Sequence, residues 1–123
     1  MKIISTNNAP GAIGPYSQGM ITNSLVITSG QIPIDPLTGN IKGDNIEEQT
    51  EQSCLNVAAV LKAAGSDITK TIKTTCFLTD MADFAKFNEV YAKHFTSKPA
   101  RSCVAVKQLP KSVLVEIEAI AEL

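Results

Sequence analysis

The chain has 123 residues, and its 11 Lys and Arg against 12 Asp and Glu give a formal net charge of −1. That length suits one ordinary domain, and the even balance excludes the basic excess with which a nucleic-acid binder neutralises phosphates. Nothing approaches the ~20 consecutive apolar residues of a membrane span, and Met1-Lys2-Ile3-Ile4 runs at once into polar Ser5-Thr6-Asn7-Asn8, so no signal peptide is expected and the cytoplasm is the expected compartment.

Taken in chain order, period-two and β-branched content predicts strands over Tyr16–Thr22 and Leu25–Ser29, joined as a hairpin at Asn23-Ser24. Gly30 to Asn45 is broken by Pro33, Asp35-Pro36, Thr38-Gly39-Asn40 and Gly43, and reads as a long ordered loop or a loop around a short edge strand. Asn45 followed by Glu48 has the form of a capping box. The helix behind it carries Ile46, Thr50, Cys54, Val57 and Leu61 on one stripe to Ala64, and Gly65 offers a left-handed end. A well-covered strand is expected over Thr71–Leu78 and a second helix over about Met81–Phe95, with Phe84, Phe87, Val90 and Phe95 on its apolar face and Pro99 barring continuation. Strands at Cys103–Val106 and Val113–Ala121 flank the turn at Leu109-Pro110-Lys111. The order ββαβαββ predicts one α+β domain over residues 1–123, a mixed sheet with two helices on one face.

Few residues could carry chemistry. His94 is the only histidine, with nothing at metal-ligand spacing beside it, and reads as a structural or surface residue. Cys54, Cys76 and Cys103 are odd in number and far apart, so three reduced thiols are expected. Gly11-Ala12-Ile13-Gly14 lacks the spacing of a nucleotide-phosphate loop. The last strand says more: one face carries Val113, Val115, Ile117, Ala119 and Ala121, and the other Leu114, Glu116, Glu118, Ile120 and Glu122. The second face is either exposed, with solvated glutamates, or partly covered, in which case desolvation would raise a carboxylate toward the range of a general base. Arg101, where an element begins, could make a surface salt bridge or hold an anion through its planar fork. Cys103 lacks a histidine partner and fits a buried position as well as a nucleophile.

Five blocks in order resemble the RidA/YjgF family of reactive-intermediate deaminases: Ala12-Ile13-Gly14-Pro15-Tyr16-Ser17-Gln18-Gly19, Thr28-Ser29-Gly30-Gln31-Ile32-Pro33, Phe87-Asn88-Glu89-Val90-Tyr91, Pro99-Ala100-Arg101-Ser102-Cys103-Val104, and Val115 through Ala121. The resemblance implies a chorismate-mutase-like α+β fold, assembled as a homotrimer with a barrel-like core and clefts shared between subunits. It implies hydrolysis of 2-imino acids such as 2-iminobutanoate and 2-iminopropanoate, released by pyridoxal-phosphate-dependent dehydratases, to 2-oxo acids and ammonia, with no cofactor in the protein itself. By the same resemblance Arg101 would hold the substrate carboxylate and Glu116 would activate the water. Tyr16, Ser29, Gly30, Asn88 and the backbone at Cys103 would line the cleft.

Two departures from the family pattern bear on the rim of that cleft and on substrate size: Ala105 stands where many members have an acidic residue, and the Thr96-Ser97-Lys98 link is short. The alternatives to a deaminase are a non-catalytic regulator that binds small molecules in the same cleft and, against the charge balance, a ribonuclease or translation inhibitor.

Overall fold

Alternation along the C-terminal segment makes β6 (Val115–Glu122) an inner strand of a six-stranded sheet in the computed structural model, which describes residues 1–123. The others are β1 (Lys2–Ile4), β2 (Gly19–Thr22), β3 (Leu25–Thr28), β4 (Thr71–Leu78) and β5 (Ala100–Ala105), in the spatial order β1-β2-β3-β6-β4-β5. All neighbours are antiparallel except β4 and β5. That pair needs a crossover, which helix α2 (Phe84–His94) supplies, while α1 (Ile46–Ala63) connects the hairpin to the other half.

Both helices cover one face. Val113, Val115, Ile117, Ala119 and Ala121 are all at most 2% exposed, and the last four pack with Val26 and Cys76 against Cys54, Val57 and Leu61 of α1 and the Phe87, Tyr91 and Phe95 rings of α2. Burying each such large side chain contributes on the order of 1.5–3 kcal/mol. The other face has no helix on it. There Ile3, Met20, Ile27 and Ile120 stand in register across four strands, with Ile3 64% and Ile27 42% exposed.

The ends of α1 follow the expected chemistry. Asn45 Oδ1 accepts from Glu48 N at 2.9 Å, and Glu48 reaches back to the amide of Asp44, one residue earlier than a simple box, at 3.2 Å. Gly65 takes φ +85, letting Ser66 N donate to Leu61 O at 2.9 Å. The hairpin turns at Asn23, φ 50, with Thr22 opposite Leu25. Several boundaries differ. β1 is too short for periodicity to show. β2 starts at Gly19 rather than Tyr16, because Gln18 turns its carboxamide onto the Thr6, Ala9 and Pro10 carbonyls of the N-terminal loop. A 3-10 turn over Met81–Asp83, capped by Asp80, precedes α2. β5 begins at Ala100 rather than Cys103, in register with Lys73. Another 3-10 turn, Pro110–Ser112, leads toward β6, and Lys111 and Ser112 both take φ 56 there.

Candidate active site

The uncovered face of β6 gives Glu116 its surroundings. Glu116 pairs with Phe77 across β4, one residue out of phase with the buried Ile117–Cys76 pair, so its carboxyl leaves the core and enters a cavity of about 750 Å³. Ser29, Gly30, Tyr16, Ile32 and Glu118 share that cavity. The loop beyond β3 is fixed beside β6 by a two-way bridge, Gln31 N to Ile117 O at 2.8 Å and Ile117 N to Gln31 O at 3.2 Å. This sets Gly30 directly against Glu116: a Cβ at position 30 would collide with Oε1 and approach Cδ to 2.8 Å. Absence of a side chain at Gly30 is what leaves room for the carboxylate.

Glu116 is half-buried, and desolvation, then the neighbouring Glu118 charge, raises its pKa. Ser29 Oγ donates to Ser17 O at 2.5 Å and Ser29 N to Gln18 O at 2.9 Å, so this residue ties the rim to the segment leading into β2 and its hydroxyl offers the cavity only a lone pair. Tyr16, 51% exposed, stands at the mouth.

The remaining expected residues lie on the opposite face of the sheet. Arg101 of β5 is in register with Thr74, whose buried hydroxyl meets Tyr91 Oη at 2.7 Å, and this places the arginine on the helix side. Its guanidinium lies 4.8 Å from the centroid of the Tyr91 ring and 5.4 Å from that of Phe84, and Nη1 donates to Asn88 Oδ1 at 2.8 Å. No carboxylate pairs with it; the one histidine, His94, places Nε2 2.7 Å from Glu51 Oε1 elsewhere in the chain. Arg101 is therefore an oriented, half-buried cation with donors to spare, beside a cavity of about 410 Å³ that it lines with Tyr91, Phe95 and Lys98. Cys103 follows on the same face, packed on the core edge, and burial raises its thiol pKa. Cys76 is pushed up to about 12 by burial, and all three thiols are free.

One chain thus brings Glu116, Gly30, Ser29 and Tyr16 together and, separately, Arg101, Asn88 and Cys103. Gln18 and Lys111 are among the cavity residues that the sequence did not mark as part of a site. Gln18 is 4% exposed and holds one wall, and its signal was a polar residue at the head of an apolar strand. Lys111 lines the cavity from a left-handed conformation that residues with a Cβ seldom adopt, which the dipeptide Pro110-Lys111 does not advertise. No three His, Cys, Asp or Glu side chains converge as a metal site would require, and no helix is long and apolar enough to cross a membrane.

A six-stranded mixed sheet with two helices on one face is an α+β architecture that solved structures share. Escherichia coli TdcF, in a structure with bound serine, superposes with a TM-score of 0.95 at 50% identity, covering 100% of this chain and 99% of that one. The profile of the endoribonuclease L-PSP family matches residues 6–123, and the chain belongs to this family, also called RidA/YjgF. Its relatives carry different functional names. A Salmonella typhimurium protein 52% identical over 98% of this chain and 96% of its own length is named 2-iminobutanoate/2-iminopropanoate deaminase. A Lactococcus lactis protein 58% identical over 99% of this chain and 98% of its own is named for regulation, as AldR.

Proposed function

We propose that this protein hydrolyses reactive 2-imino acids, such as 2-iminobutanoate and 2-iminopropanoate, to 2-oxo acids and ammonia. The observation that carries the reading is the Glu116 carboxyl, partly desolvated in a cavity where Gly30 makes room for it. The name of the Salmonella relative supports the choice of substrate.

The chemistry needs a base, an anchor and a proton carrier. Glu116 takes a proton from water as the oxygen bonds to the iminium carbon, and the C=N π electrons pass to nitrogen. The carboxylic acid so formed returns that proton to the amine. The C–N bond then breaks as the carbonyl forms, and the hydroxyl proton leaves with ammonia as ammonium. A base whose pKa lies above the usual carboxylate range is better matched to these transfers near neutrality. Arg101 binds the substrate carboxylate through paired N–H groups, its plane fixed by the aromatic rings and Asn88.

Because Arg101 and Glu116 face opposite sides of one sheet, both can serve one substrate only if two copies meet. Taking the homotrimer that the family resemblance implies, we propose that each cleft takes Arg101, Asn88 and Cys103 from one copy and Glu116, Ser29, Gly30 and Tyr16 from the next. The aliphatic row from Ile3 to Ile120 supplies an apolar face for that assembly.

Coupling to a threonine dehydratase tests the activity: the protein is expected to speed 2-oxobutanoate release and to lower trapping of the imine by semicarbazide. Unchanged rates would defeat the reading. The regulator's name of the Lactococcus relative favours a second one, in which the same cleft binds 2-oxo acids without turnover; binding with no acceleration would decide for it.

A further inference from the structure

The wall of the Glu116 cavity is irregular backbone, and an irregular wall needs something to hold it. Ile32 and Ile34, which line the cavity, flank Pro33 in a three-residue turn closed by Ile34 N to Ile32 O at 2.8 Å. Behind the turn stands Asn56 of α1, 1% exposed. Its Nδ2 donates to Ile32 O at 3.1 Å and to Ile34 O at 2.9 Å, spending both protons. Its Oδ1 accepts from Gln52 Nε2 at 2.8 Å, which fixes which way the amide points. Such an arrangement needs two donors and one acceptor on a neutral, branched group. Aspartate would offer no proton, and leucine would leave Ile34 O without a donor and Ile32 O with the turn bond alone.

The same helix shows that burial alone does not explain the arrangement. Thr50 and Ser53 are equally buried on α1, and their hydroxyls have no partner. Gln49 is engaged like Asn56, donating to Gly43 O at 3.1 Å and accepting from Leu114 N at 2.8 Å. The carboxamides of α1 therefore grip the loop at both ends, and its other fastening is the Gln31–Ile117 bridge next to Glu116.

We infer that Asn56, braced by Gln52, is a positioning residue that sets which substrate side chain the cavity accepts, by fixing the Ile32–Ile34 wall relative to Glu116. Asn56 touches no substrate. The inference rests on the reading of this cavity as a 2-imino or 2-oxo acid site, and binding separates the two questions because it needs no turnover.

The test is to measure dissociation constants of 2-oxobutanoate and 4-methyl-2-oxopentanoate for the unaltered protein, Asn56→Ala, Gln52→Met and Val57→Ala. Val57 is fully buried in the helix-side core, so Val57→Ala weakens the fold without releasing the wall. In Asn56→Ala the ratio of the two constants is expected to move by about tenfold, the size of a one-methylene discrimination, with Gln52→Met moving it less in the same direction and Val57→Ala leaving it in place. Should Asn56→Ala not fold, Gln52→Met decides by the same criterion. An unmoved ratio, an equal move in Val57→Ala, or no binding of either acid by the unaltered protein would overturn the inference. Failure of the deaminase reading shows instead as a shifted binding ratio without acceleration in the coupled assay.

Discussion

At Glu116 the cost of desolvation and the nearness of Glu118 act in the same direction, and both effects can be read from pH. Between the ordinary carboxylate pKa and the raised native one, the folded protein holds a proton that the unfolded chain has released. Ionising Glu116 therefore opposes folding, by nothing below this window and in full above it. Relative to the unaltered protein, Glu116→Gln should gain stability as pH rises through the window, measured by urea midpoints on either side. In the proposed reaction the base must be ionised, so the acid limb of kcat/KM should turn above the ordinary carboxylate value and move down in Glu118→Gln. An unmoved limb would separate Glu116 from the proton transfer. Glu116→Gln itself should lower kcat by about 10²- to 10⁴-fold, the usual worth of a general base. Arg101→Lys keeps the charge but loses the fork and its stacking, so KM should rise about 10- to 100-fold, as expected for charge-assisted hydrogen bonds.

At the level of elements, stability concentrates where the helices meet β6. Phe87 is fully buried between α2 and the sheet and packs against Tyr91, with ring centroids 5.5 Å apart. Phe87→Ala should cost about 3–5 kcal/mol in denaturant unfolding. Asn45→Ala, which removes a cap at the end of a helix, should cost only about 1 kcal/mol. These elements were legible because their signals are local. The two-residue period of Val113 to Ala121 and the stripe and caps of α1 need no knowledge of distant residues. The Glu116 face was legible as an ambiguity, since glutamates alternating with aliphatics fit solvent or cavity equally until the loop through Gly30 is placed. What the sequence hid is non-local. Asn56 meets Ile32 and Ile34 across more than twenty residues, and Gln18 folds back onto the N-terminal loop, so neither carboxamide leaves a periodic trace. β1 escaped for a similar reason: three residues are a strand only because β2 stands beside them.

At the scale of the whole molecule, the proposed assembly turns on the uncovered sheet face. The sheet face without helices carries Ile3, Met20, Ile27 and Ile120 across neighbouring strands, and in the proposed trimer this face lies between copies. Ile27→Lys, at a 42% exposed position, should reduce the mass in sedimentation from three chains to one and abolish turnover with it, because the two halves of each site part company. Loss of assembly with full activity would contradict a shared site. The sharpest test of that sharing is complementation between Arg101→Ala and Glu116→Gln, each inactive alone. Unfolded together and refolded as mixed trimers, they should recover about a quarter of the unaltered activity, since random assembly pairs an intact Arg101 with an intact Glu116 across one interface in four. A mixture no more active than either variant by itself would show that no cleft joins the two residues.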